Sequence, residues 1–210
     1  MQVKLVTITP EAEKLITYIA RVSNPANQFN ENIAGLLRYC HREGHVSVFE
    51  QAHMTVEIKT TRAISAQLLR HRSFCFQEFS QRYAAVTEKP EVPELRLQDS
   101  KNRQSSLPVP PEMEDAIEKL QLEAQWMFDQ TQNLYERMLA AGIAKECARG
   151  ILPMNSPTTI YMTGNIRSWM HYLKLRTGNG TQQEHAEIAL AIKDIFCREL
   201  PIVADALFGE

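Results

Sequence analysis

Met54-Thr55-Val56-Glu57-Ile58-Lys59-Thr60-Thr61 alternates apolar and polar side chains over its first six residues, and Arg62-Ala63-Ile64-Ser65-Ala66-Gln67-Leu68-Leu69-Arg70-His71-Arg72 follows without a break. A period of two marks a strand with one buried face. From Thr61 the period changes. Ile64, Leu68 and His71 recur at helical spacing, and Thr60 or Thr61 offers a hydroxyl to cap the helix. The chain therefore contains strands and helices in direct succession. Its positive charge gathers where this helix ends: Arg70, His71, Arg72, Ser73, Glu78, Ser80 and Arg82 lie within thirteen residues. A helix C-terminus carries partial negative charge. Attraction for an anion there must come from the guanidinium groups, whose planar forks suit phosphate.

On the N-terminal side, residues 1–7 predict a short strand. A helix after Pro10 carries Ala12, Leu15, Ile16 and Ile19 on one side, and Asn24-Pro25 interrupts it. Ile33, Leu36, Leu37 and Cys40 predict a helix over about 30–42, which Gly44 stops. On the C-terminal side the cluster is expected to run into a loop. Residues 87–111 predict a long exposed segment with a short strand near Leu95, of the length that binding loops and lids have. Pro111 opens a helix to about 141, closed by Gly142. Residues 158–162 predict a strand, 165–176 a helix, and 182–198 a last helix. One domain over 1–210, without repeats, is the expectation.

Composition narrows the function. Apolar residues make up 44% and charged residues 23% of the 210, as in ordinary globular chains, and 23 basic against 25 acidic residues leave a net charge of -2. A chain this close to neutral lacks the broad basic face of a nucleic-acid binder, yet leaves a local anion site open. No apolar run reaches bilayer-spanning length, and the first residues do not resemble a signal peptide. Cys40, Cys75, Cys147 and Cys197 have no paired spacing, which predicts reduced thiols and a cytoplasmic address. Cys75, between Phe74 and Phe76, reads as a small buried apolar residue. His41 and His45 stand four apart with no third ligand in view, so no metal site is expected.

Two ordinary arginines at a helix end form surface salt bridges. Ser80 and Arg82 tilt the balance toward an anion site. Farther on, Asn165 and Arg176 are eleven apart and share a helix face, whereas Arg167 and His171 share another. Besides the reading that their spacing resembles, two others stay open on these residues: a nucleotide-binding hydrolase or transferase using the same arginines, and a non-catalytic RNA-binding module.

The spacing Arg70-His71-Arg72, seven residues, Ser80, one residue, Arg82 is similar to the signature of the flavin-dependent thymidylate synthases. Ala20-Arg21-Val22-Ser23, Gly44-His45-Val46-Ser47-Val48-Phe49-Glu50, the run from Ala148 to Asn155, and Asn165-Ile166-Arg167-Ser168 through Leu175-Arg176 resemble the family in the same order. The resemblance implies an α+β fold, with a mixed or antiparallel sheet packed with helices, assembled as a homotetramer whose active sites lie between subunits. It implies conversion of dUMP to dTMP with methylenetetrahydrofolate, NADPH and bound FAD, and no nucleic-acid or membrane partner. By position Gln67, Arg70, Glu78, Phe79, Ser80, Gln81, Arg82, Arg149 and Arg176 resemble the dUMP site, with Arg176 as the activating residue. Ser23, Ser47, Arg70, His71, Arg72, Ser73, Glu78, Asn165, Arg167, His171 and Leu175 resemble the flavin site, and His45 and Glu50 match positions near flavin and substrate. Gln51, Gln77, Gln81 and His171 depart from the family's usual residues.

Overall fold

The computed structural model describes residues 1–178 and 180–209. Along the chain run β1 (Gln2–Ile8), α1 (Ala12–Ala20), α2 (Ala34–Arg42), β2 (His53–Thr61), α3 (Arg62–Leu68), β3 (Cys75–Glu78), β4 (Leu97–Gln98), β5 (Ser106–Leu107), α4 (Glu114–Ala140), α5 (Lys145–Ala148), β6 (Pro157–Asn165), α6 (Ile166–Arg176), α7 (Gln183–Glu199) and α8 (Pro201–Phe208). The main sheet has the order β1-β2-β6-β3, antiparallel throughout. The class is α+β, as expected.

The alternation in β2 sets the core. Met54, Val56, Ile58 and Thr60 are buried, and in β6 Thr158, Ile160, Met162 and Gly164 face the same way, with Val56 opposite Met162 and Ile58 opposite Ile160. The other face is polar: the Thr55 and Thr163 hydroxyls meet at 2.9 Å, and Tyr161 donates to Glu57 at 2.6 Å. One-sided burial of this kind is usual for antiparallel sheets. Trp169, Tyr172, Leu173, Ile188, Ile192 and Phe196 from α6 and α7 belong to the same core. Gly164 is required by close approach: a Cβ there would lie 2.5 Å from the Phe74 ring. Gly142 ends α4 at φ 85°, where side chains other than glycine are strained.

Three elements depart from the sequence reading. The stretch after the arginine cluster is β3 where a loop was expected. Its four residues are too short for periodicity to show, and what forms it is the open edge of β6. The helix expected from residue 30 starts at Ala34, because the Arg21 guanidinium binds the Asn30 and Asn32 carbonyls at 2.5 and 2.7 Å and holds that segment as a loop. After α7 a further helix, α8, opens at Pro201. Its first N–H groups at Ile202 and Val203 are both taken by the Glu13 carboxylate at 2.8 Å, a cap supplied from 189 residues away and invisible locally.

Segment 87–111 carries the β4–β5 hairpin and is tied down. Gln125 binds the Pro90 carbonyl and the Val92 N–H at 3.1 Å each, and Asn155 donates to the Glu91 carbonyl at 2.9 Å. Arg96 meets Glu184 of α7 at 2.6 Å, both largely buried. Only Gln132 and Tyr135 of the 27 residues in α4 are buried, and Leu120, Leu122, Trp126 and Met127 stand exposed.

Candidate active site

Helix α6 carries one edge of the site. Asn165 caps it, its side-chain oxygen accepting from the Ser168 N–H at 2.8 Å. Trp169 fixes its roll by donating its indole N–H to the Met54 carbonyl at 3.0 Å. With Trp169, Tyr172 and Leu173 turned into the core, Arg167, His171 and Leu175 are exposed. Arg167 forms an ion pair with Glu50, in the 3₁₀ turn Val46–Gln51 that also holds Ser47. His45 precedes that turn, and Ser23 lies in the loop after α1; His45, Ser47 and Ser23 are all exposed.

Arg176 ends α6 on a different side, facing the turn between α3 and β3. Its Nε donates to His71 Nε2 at 3.0 Å. A guanidinium only donates, so this ring nitrogen must be bare. Burial lowers the His71 pKa to about 4, helped by the charge of Arg176 and by His171. The two terminal amino groups of Arg176 have no acceptor among the described residues. His185, from α7, is fully buried beside this pair. Its Nδ1 meets Gln67 Oε1 at 3.2 Å and its Nε2 meets the Tyr172 hydroxyl at 3.1 Å. Burial, then the charges of Arg176 and His71, lowers its pKa to about 4 as well.

Both histidines make the fold acid-sensitive. Unfolded, each titrates near 6.5; folded, near 4. Between those values the unfolded chain binds more protons, so the stabilisation is complete above pH 6.5 and is lost as pH falls toward 4. For His185 the loss is on the order of 2–3 kcal/mol; the partly exposed His71 contributes less. Thermal unfolding is expected to shift to lower temperature across that interval, and His185→Asn, which removes one of the two groups, is expected to shrink the shift.

Glu78, at the end of β3, accepts from Ser65 at 2.7 Å and Thr158 at 3.0 Å and pairs with Arg62 at 2.5 Å. Phe79, Ser80 and Arg82 follow it, all exposed, while Gln81 is buried with its amide nitrogen unpaired among the described residues. Arg82 pairs with Glu146 at 3.1 Å, in a hollow lined by Ser80, Tyr83, Ala144 and Lys145. Arg149 lies in the 3₁₀ turn just beyond α5. Arg70, Arg72 and Ser73 project from the turn before β3, exposed, and neither arginine nor Arg149 has a carboxylate partner among the described residues.

The candidate residues thus form separate groups in one chain. Gln67, His71 and Arg176 are together. Glu50 and Arg167 pair beside α6, and His171, exposed on that helix, lies near enough to His71 to lower its pKa. Ser80 and Arg82 share a third surface, with no hydrogen bond or common hollow joining them to Arg176 among the described residues. Cys75 corrects its reading: it is exposed, because the pleat of β3 turns Phe76 inward and Cys75 outward.

The profile of the family described as thymidylate synthase complementing protein matches residues 4–202. A protein of Paramecium bursaria Chlorella virus 1, called a probable flavin-dependent thymidylate synthase, is 54% identical over 99% of both chains. This chain belongs to the flavin-dependent thymidylate synthase family. A Synechocystis member of that name is 54% identical over 93% of this chain and 89% of its own. The solved structure of the UMP/dUMP methylase PolB from Streptomyces cacaoi, bound with 5-Br dUMP, superposes with a TM-score of 0.85 at 28% identity, over 98% of this chain and 93% of that one. Around these candidates the sequence reading missed Tyr172, His185, Ser65, Thr158 and the Arg96–Glu184 pair. A buried histidine amid Ile188, Ala189 and Ile192 looks like any polar residue on a helix; no local signal separates it.

Proposed function

We propose that this chain converts dUMP to dTMP, using methylenetetrahydrofolate as carbon donor and NADPH-reduced FAD as hydride source, as a cytoplasmic homotetramer with sites between subunits. The observation that carries the reading is Arg176, anchored through Nε by a neutral imidazole, with neither terminal amino group bonded among the described residues. A uracil carbon becomes nucleophilic when N3 loses its proton, and a fixed guanidinium stabilises the resulting anion. His71 keeps Arg176 oriented and, being neutral, adds no charge of its own at neutral pH.

The dUMP phosphate is assigned to Ser80, Gln81 and Arg82 with Arg149. The Gln81 amide nitrogen, unpaired among the described residues, fits a surface that meets an anion. A flavin dinucleotide fits the donor set as well: Arg70 and Arg72, without acid partners among the described residues, suit its diphosphate, and exposed Ser73, Arg167, His171 and Leu175 offer mixed polar and apolar contact. FAD, when bound, supplies the hydride chemistry; the chain binds, orients and sets charge. Tetramer formation is supported by the exposed apolar residues of α4, with Trp126 59% exposed, and by the division of the site residues into separate groups.

The test is dTMP formation from dUMP with FAD, NADPH and methylenetetrahydrofolate together. Product is expected only when all are present, and NADPH is expected to bleach the bound flavin in the presence of dUMP. Colourless protein that takes up no FAD would overturn the reading. A thiol nucleophile has no part in it. Cys75→Ala is therefore expected to keep kcat within about twofold, as surface changes away from buried features do, measured on FAD-loaded protein.

A further inference from the structure

Beside Arg176 runs a chain of hydrogen bonds whose direction is set from one end. Glu184 faces Arg96 at 2.6 Å and accepts from Gln182 Nε2 at 2.8 Å. Burial alone raises the Glu184 pKa, but the hydrogen bonds from Arg96, its own N–H and Gln182, with the charge of Arg96, outweigh it and leave the pKa lowered. An ionised carboxylate only accepts. Gln182 must then turn its nitrogen to Glu184 and its oxygen to Gln67, whose Nε2 donates at 2.6 Å. Gln67 has its oxygen left for His185, so His185 Nδ1 carries the proton and donates at 3.2 Å. His185 Nε2 is then bare and accepts from the Tyr172 hydroxyl at 3.1 Å, a phenol kept protonated by burial against the opposing charge of Arg176. Each amide has one allowed orientation.

We propose that His185 is a positioning residue: through Nδ1–H it holds the oxygen of Gln67 inward, so that the remaining Gln67 N–H is presented to an acceptor oxygen of the nucleotide. Gln182 holds the Gln67 nitrogen at 2.6 Å, but one hydrogen bond leaves the amide free to swing about it; the second, from His185 Nδ1–H to the oxygen, fixes the amide plane and so aims the remaining N–H. Tyr172 fixes the tautomer and packs its ring against His71 at 4.9 Å between centroids. The same network therefore touches both Gln67 and, through His71, the partner of Arg176. This proposal rests on the assignment of Gln67 and Arg176 to the dUMP site.

The test is a double-mutant cycle read in KM for dUMP on FAD-loaded enzyme. His185→Leu is expected to raise KM about tenfold, the cost of a lost orienting hydrogen bond, with kcat changed much less. In a Gln67→Ala background the same substitution is expected to leave KM within about twofold, since the residue it acts through is gone. Equal KM increases in both backgrounds, or none in either, would overturn the proposal. A second pair guards against misfolding. His185→Asn places an amide N–H near the Nδ1 position and is expected to stay close to wild type, whereas His185→Gln reaches the Nε2 position and is expected to behave as the leucine variant; the reverse order overturns the assignment. Wild-type turnover of dUMP in the same assay keeps these outcomes separate from any failure of the functional reading.

Discussion

Arg176→Ala is expected to lower kcat for dTMP formation by ~10²–10³-fold or more, the cost of removing one donor aimed at developing charge. FAD should still bind, because the exposed flavin-side candidates Arg167, His171 and Leu175 lie on other faces of α6. The fold should survive too. The Arg176 side chain makes one hydrogen bond among the described residues, to His71, and that half-buried neutral imidazole retains some exposure to water. Stopped-flow reduction of the loaded flavin and product analysis separate the effects: normal flavin content with no dTMP is the expected pattern. Arg176→Lys is expected to rescue little, since an ammonium lacks the fork that reaches His71 and a ring oxygen together. Turnover close to wild type in either variant would remove Arg176 from the chemistry.

Arg82→Ala is expected to act on binding instead, raising KM for dUMP by about 10²-fold, as the loss of a charge-assisted contact to phosphate does. In the free protomer Arg82 pairs with Glu146, and both side chains are more than half exposed at 67% and 55%. Such a pair contributes about 0–1 kcal/mol, so releasing Arg82 to a phosphate costs little and its removal hardly touches stability. Deoxyuridine, which lacks the phosphate, serves as the control: its weak binding should be the same in wild type and variant. An unchanged KM for dUMP would place the phosphate elsewhere.

Much of the fold was legible because its decisive elements are strongly periodic. β2 alternates cleanly and Thr61 caps α3, with the Ile64 N–H at 3.4 Å from its hydroxyl. The helices closed by Gly44 and Gly142 end as read. What escaped depends on partners distant in sequence. β3 exists because β6 offers an edge, α8 is capped by Glu13, and the segment leading into the β4–β5 hairpin is pinned by Gln125, Asn155 and Glu184. The arginines of the site were legible as a spaced motif, yet their arrangement was not. Arg82 and Arg176 look like members of one cradle in the sequence and lie in separate groups on the protomer. The histidine network behind Gln67 was wholly hidden, since burial turns an ordinary imidazole into a neutral acceptor or donor only in the folded chain.

That separation makes the proposed intersubunit site testable, in the form that one active site would take Arg176 from one protomer and Arg82 from its partner. Arg176→Ala and Arg82→Ala chains carrying different tags are co-expressed, mixed oligomers are purified through both tags, and dTMP formation is measured at low dUMP. Random mixing leaves about a quarter of shared sites with both arginines intact, so activity is expected to return to about that fraction of wild type, well above either variant alone. Mixed oligomers no more active than the two parents would mean that both arginines serve the same protomer's site, and would contradict the account.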